Sequence, residues 1–264
     1  MNAAPSAKRP VLSVVTPAYN AEDFIGETLD SVASLTVAHE HVVVDDGSSD
    51  GTPRLLRARD DEALTWFSQE NRGQAGAVNA GIERARGDLL AWLNADDTYV
   101  PESVKAAVEL LTERPEIDAV YGYMNIVDQQ GGFVRQARCG PFSWNRYLLV
   151  GDYWPTPTII FRRRLLERAP RVDERYTDVS DVDFYLRLLQ GARVHRLKGS
   201  IVNFRYHAAS KTGSNPEEML EKAREIRLGM ARNPIERAII RATARFRIAR
   251  ERTLPFWPQA SNES

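Results

Sequence analysis

The sequence predicts an α/β fold, a three-layer α/β/α arrangement on a mostly parallel central sheet, followed by a helical C-terminal extension. Three observations carry this prediction. Strand-like and helix-like periods alternate between residues 11 and 100 in the order β-α-β-α-β-α-β. Two apolar strand segments, Val42-Val43-Val44 and Leu89-Leu90-Ala91-Trp92-Leu93, run into adjacent aspartates, Asp45-Asp46 and, past Asn94-Ala95, Asp96-Asp97. From Pro216 onward the chain reads as helix.

The elements follow in order. Val11–Thr16 is β-branched and apolar between Pro10 and Pro17, a buried first strand. Pro17-Ala18-Tyr19-Asn20 is a loop, and a helix starts near Ala21, with Phe24, Leu29, Val32 and Leu35 on one face. His41–Val44 is the second strand; Gly47, Ser48, Ser49 and Asp50 turn the chain and cap a helix near Pro53. Thr65–Phe67 is a third strand, and a helix from about Ala75 to Arg84 stops at Gly87. After the fourth strand, Pro101 and Glu102 open a helix. Such a run implies a right-handed, doubly wound sheet whose loops converge on one edge, where ligands bind. Beyond it, Ala119–Val127 and Phe133-Val134 form a hairpin about Gln129–Gly132, and Phe142–Val150 is helical. Thr158–Phe161 is a strand, Arg164–Arg168 a helix, Phe184–Leu189 an amphipathic helix, and Arg193–Leu197 and Ser200–Phe204 two further strands. The expected organisation is a flexible N-terminus (1–10), one domain (11–215, halves 11–100 and 101–215) and a basic helical extension (216–264).

Composition, at 43% hydrophobic and 27% charged, is that of a globular domain with a sizeable core. A single cysteine, Cys139, excludes an intrachain disulfide. With no run of about 18 apolar residues, that predicts a cytoplasmic protein. The net charge of −1 hides an asymmetry: Lys222–Arg252 holds ten Lys/Arg against three Glu, a surplus of seven, so the rest carries minus eight. No nucleic-acid partner is expected.

Two adjacent carboxylates at a strand end repel unless a cation lies between them or one is protonated. A hard divalent ion such as Mg²⁺ or Mn²⁺, carrying substrate phosphates, fits them; a helix cap fits them too. Neither a Gly-x-x-x-x-Gly-Lys-Ser/Thr loop nor a Gly-x-Gly-x-x-Gly turn follows the first strand, so phosphate would be held through metal rather than in a glycine cradle. A third acidic cluster is Asp178/Asp181/Asp183.

Four motifs in sequence resemble those of family-2 glycosyltransferases with the GT-A fold: Thr16-Pro17-Ala18-Tyr19-Asn20, Val44-Asp45-Asp46-Gly47-Ser48-Ser49-Asp50-Gly51-Thr52, Asn71-x-Gly73 with Asn79-x-Gly81, and Trp92-Leu93-Asn94-Ala95-Asp96-Asp97. The resemblance covers roughly residues 11–212. It implies a nucleoside-diphosphate sugar donor, UDP or dTDP, a saccharide or lipid-linked acceptor, and Mn²⁺ or Mg²⁺. Tyr19 matches the base-pocket position and Asp46 the base-reading carboxylate; Pro17, Asn20, Arg72, Gln74, Asn79 and Asn94 fall among the donor-binding positions. Asp96 matches the ribose- or sugar-side aspartate and Asp97 the metal ligand. Asp181 matches the general base and His207 a loop histidine completing the metal or diphosphate site.

Two positions depart from the pattern. Ser180 precedes the base aspartate, and Val78 stands where an arginine often precedes the second asparagine, so Arg72 or Gln74 is the substitute for that contact. One base candidate and no covalent nucleophile predict inversion. A catalytically silent nucleotide-sugar-binding or scaffold protein and a sugar-phosphate nucleotidyltransferase are the alternatives; the latter calls for a Gly- and Arg/Lys-rich loop after strand one. Asp178 reads as a solvated charge, Asp183 as a cap, Cys139 as a structural thiol and Lys211 as a phosphate contact. Trp144, Tyr153 and Trp154 read as core or acceptor-stacking aromatics. In the tail, Ile235, Ala238, Ile239, Ala242 and Phe246 recur at helical spacing among Arg237, Arg241, Arg245, Arg247, Arg250 and Arg252. That pattern fits a helix lying on an anionic membrane, one packed back on the domain, or a dimer contact.

Overall fold

The computed structural model describes residues 10–151, 155–207 and 216–253, with Pro216 and 245–253 by backbone alone. Lys211, Tyr153 and Trp154 lie outside them.

The central strand is β1 (Leu12–Ala18), buried along its whole length. It pairs in parallel with β2 (His39–Asp45) and β4 (Leu89–Trp92), and β3 (Leu64–Ser68) joins β2, also in parallel. Pro17 is tolerated here because the β1–β4 pairing stops at Val15 and Trp92. The N–H that proline lacks would point to where β4 has already ended. The crossovers are α1 (Ile25–Ala33), α2 (Thr52–Arg57) and α3 (Gly73–Arg84).

The doubly wound half is therefore parallel, as the alternation predicts. Beyond β4 the sheet is mixed. β5 (Thr98–Tyr99), α4 (Pro101–Glu113), β6 (Ala119–Val127), β7 (Phe133–Ala137), α5 (Trp144–Val150), β8 (Ile160–Arg162), α6 (Ser180–Leu188) and β9 (Val194–Arg205) complete the body. The spatial order is β3-β2-β1-β4-β8-β6-β9-β5, with β7 also on β6. β8 runs antiparallel to both β4 and β6, while β9 runs parallel to β6. The two strands expected over 193–204 are one continuous β9 whose pairing with β6 slips near Tyr123.

Alternate side chains of the sheet feed two cores. Val15, Leu90, Trp92 and Tyr121 pack with residues of α3, α5 and α6; Leu12, Val14, Leu89 and Ala91 pack with residues of α1 and α4. Helices thus cover both faces, giving the three layers. Gly81 brings α3 close to the sheet: a Cβ there would lie 2.4 Å from Val15 Cγ1. The extension is α7 (Pro216–Met230) and α8 (Pro234–Thr253). Ile226 and Ile240 are buried in the same core as α5 and α6. No described helix is long and apolar enough to cross a membrane.

Candidate functional site

The parallel register sets Ala18 beside Asp45, so the loops leaving β1 and β2 share one edge. Asp46 is buried there, its amide donating to the Ala18 carbonyl at 2.8 Å. Its Oδ1 accepts from the Arg72 amide at 2.9 Å and Gln69 Nε2 at 2.8 Å. Asp45 takes the supporting role, accepting from the Ser48 amide and the Ser68 hydroxyl. Asn20 adopts a left-handed φ of 47°, and its side-chain oxygen accepts from the Ser49 amide at 2.9 Å, tying the two loops together. Gly47, at φ 79°, passes so close to the Asn71 amide that a Cβ would lie 3.2 Å from it. Tyr19 stands 54% exposed on this platform, so core packing does not account for it.

The second cluster is the turn after β4. β5 pairs antiparallel with β9, Thr98 opposite Asn203, which brings the end of β9 to the acidic pair. Asp97, expected as the metal ligand, is fully buried, and both its oxygens are engaged. Oδ1 accepts from the Arg205 amide at 3.0 Å and Oδ2 from Asn94 Nδ2 at 3.2 Å. Burial, and then the neighbouring Asp96 charge, push its carboxyl well above the usual range, while the Arg205 and Asn94 bonds pull it back. Asp96 is the accessible member. Its Oδ2 lies 3.1 Å from His207 Nε2. Carboxylate oxygen and imidazole nitrogen suit a divalent transition metal. No group of three His, Cys, Asp or Glu able to hold a metal occurs among the described residues. Two protein ligands hold a divalent ion only where diphosphate oxygens and water complete its shell. Asn94 Oδ1 accepts from Gln74 Nε2 and Trp92 Nε1, fixing the amide that braces Asp97.

Because β8 is antiparallel to β4, the turn Thr156–Thr158 before it lies at the edge where β4 ends. Thr156 Oγ1 donates to Asp181 Oδ2 at 2.7 Å, which brings the candidate base to that edge on the first turn of α6. Asp183 does not cap α6; it pairs with Arg187 one turn on. Asp178 is not a free solvated charge: Lys222 of α7 donates to it at 2.6 Å. That ties the C-terminal extension to the segment leading into Asp181.

Other expected residues are spent elsewhere. Arg72 pairs with Glu174 through both carboxylate oxygens, at 3.0 Å each. Asn79 is buried; its amide group exchanges hydrogen bonds with the Val172 backbone and donates to Glu174. Trp144 donates to the Leu186 carbonyl and packs in the core, while Cys139 is half-buried with its thiol pushed up to about 11 by desolvation. Sequence reasoning passed over Arg205, whose side chain is buried behind the acidic turn. Its Nε donates to the Asp96 carbonyl at 3.1 Å and its guanidinium also reaches the Gln129 carbonyl and Glu27. Its position in Arg205-Tyr206-His207 was the available signal; Glu174 has none.

The model of the family described as Glycosyl transferase family 2 matches residues 13–171. The chain belongs to that family. A Rickettsia felis protein described as an uncharacterized glycosyltransferase is 25% identical over 79% of this chain, which spans 36% of that relative's length. A Bacillus subtilis protein, TuaG, named for teichuronic acid biosynthesis, is 35% identical over 47% of this chain and 50% of its own. The crystal structure of S. aureus TarS residues 1–349 in complex with UDP-GlcNAc superposes with a TM-score of 0.68 at 24% identity, covering 92% of this chain and 73% of that one. The mannosyltransferase PcManGT from Pyrobaculum calidifontis, in complex with GDP-Man and Mn²⁺, gives 0.67 at 23% identity over 94% and 72%. At those identities the likeness shows the fold, which is GT-A.

Proposed function

We propose that this chain is a metal-dependent, inverting glycosyltransferase that takes a sugar from a nucleoside-diphosphate donor, UDP or dTDP, and passes it to a hydroxyl of a saccharide or lipid-linked acceptor. The observation that carries the reading is the convergence at one sheet edge of buried Asp46, the Asp96–His207 pair and Asp181. The neighbours bound to UDP-GlcNAc and to GDP-Man with Mn²⁺ support it. Asp46 accepts from the base and Tyr19 lies against it. Asp96 and His207, in place of Asp97, would hold a divalent cation together with the donor's diphosphate. When bound, that ion neutralises the charge leaving with the nucleoside diphosphate. Asp97 and Arg205 fix the turn that presents Asp96. Asp181 takes the acceptor proton as the hydroxyl attacks opposite the leaving group, a contribution of about 10²–10⁴-fold. Thr156 orients it by donating to Oδ2. Residues 101–215 supply the acceptor half.

The test is Asp181→Asn. Transfer should fall by about 10²-fold or more while donor binding, read by thermal shift with Mn²⁺, is retained. Transfer at the wild-type rate would remove Asp181 from the mechanism, and Mn²⁺-stimulated transfer by the unmodified chain would exclude a silent scaffold.

A further inference from the structure

The proposed function leaves one surface unused. Helix α8 has two apolar sides. On the inner side Ile240 and Ala244 are buried, and Thr243 donates to the Leu149 carbonyl of α5 at 2.8 Å, which fixes how the helix is rolled. Ile235, Ala238, Ile239 and Ala242 occupy the outer side at helical spacing, with Ile235 73% and Ile239 37% exposed. Packing back on the domain therefore accounts for only half of the apolar pattern. Arg237 and Arg241 lie together on one border of the helix, between its buried side and the outer stripe, exposed and in no ion pair among the described residues.

We infer that the outer face of α8 docks on an anionic lipid bilayer, lying in the interface with its isoleucines among the acyl chains and its arginines at the headgroups. Charge complementarity selects this occupant. Helix α8 carries six arginines against two glutamates, a surplus of four, while the rest of the chain carries minus five, so an anionic surface attracts this helix and repels the body. A second copy fits poorly. Two isoleucines and two alanines offer far less than the roughly 800 Å² per partner of a stable interface. No described helix is long and apolar enough to cross a membrane. The docked helix would be joined to the site through α7, whose Lys222 holds Asp178, three residues before Asp181.

Co-sedimentation of the full chain with vesicles tests this without donor or acceptor, so its result is independent of the transferase reading. Vesicles of phosphatidylglycerol with phosphatidylcholine should bind the protein, vesicles of phosphatidylcholine alone should not, and added salt should release it. Arg237→Gln with Arg241→Gln should weaken binding by about 25-fold, each basic residue at an anionic surface being worth about fivefold. Ile235→Ser with Ile239→Ser should weaken it by about tenfold or more. All four sites are exposed, so thermal unfolding should stay near that of the unmodified chain; should a pair fail to fold, the lipid-charge and salt dependence of the unmodified chain still decides. Equal binding to neutral vesicles, or wild-type sedimentation of both double variants, would overturn the inference. So would a dimer that the isoleucine substitutions dissociate without any vesicle binding.

Discussion

His207 Nε2 stands 3.1 Å from Asp96 Oδ2 although the two residues are 111 positions apart in the chain. The contact exists because β9 returns antiparallel to β5 and ends beside the turn that follows β4. It separates two aspartates that the sequence presents as equals: one meets a histidine at the open edge, the other is buried beneath it.

Asp96→Asn and Asp97→Asn should therefore differ. Removing the Asp96 charge should cost more Mn²⁺ affinity than the roughly 10–100-fold typical of an outer-sphere change. Asp97→Asn, next to the turn but not at its mouth, should stay within that range. Mn²⁺ titration of nucleotide binding in the two variants checks the order; the reverse order would return the metal to Asp97.

Arg205→Met should loosen the turn from behind. The backbone bond to Asp97 survives, but the carbonyls of Asp96 and Gln129 lose their donor. We expect a loss of about 2–4 kcal/mol in stability, with nucleotide affinity reduced further than stability alone explains. Denaturant unfolding beside a binding isotherm separates the two effects.

His41 predicts acid sensitivity. It is fully buried, its Nε2 2.9 Å from Thr16 Oγ1, and burial, then the His39 and Arg59 charges, lower its pKa to about 3. The folded-state value lies below the ordinary 6.5, so between about pH 6.5 and 3 the unfolded chain takes up a proton that the folded chain refuses. Stability from this group is whole above that window and falls with pH inside it, by about 1.4 kcal/mol per unit. Replacing His41 by Gln should flatten the pH dependence of unfolding free energy between pH 6 and 4 by that slope; an unchanged slope would refute the assignment.

Gly81→Ala should cost about 1–3 kcal/mol through overpacking. The added methyl meets Val15 Cγ1 at 2.4 Å and Val44 Cγ2 at 3.3 Å, both on buried β-branched residues that cannot swing away. A lowered denaturation midpoint with an unchanged slope is the expected signature.

The parallel half of the fold was legible because its strands are continuous apolar runs with helical periods between them. The mixed half was not. β5 is two residues long and carries no period, and nothing in Thr158–Phe161 says that β8 runs against β4. In the site, the strand-end position of Asp46 and the acidic pair could be read directly. The division between Asp96 and Asp97 could not, because burial depends on Arg205 arriving from 108 residues away. Arg72 and Asn79 lie on the expected loop and helix, yet both are engaged by Glu174, a contact that no local pattern encodes.

Donor binding through a divalent cation on Asp96 and His207 is the step on which the transferase reading rests. The most direct measurement is thermal unfolding with UDP- and dTDP-sugars, with Mn²⁺ and after chelation, for the unmodified chain and His207→Ala. At a hundredfold excess over Kd, binding should stabilise the fold by about 2.7 kcal/mol. That stabilisation is expected with Mn²⁺ and should be lost on chelation or in the variant. Stabilisation by nucleotide sugar that survives both would contradict that reading.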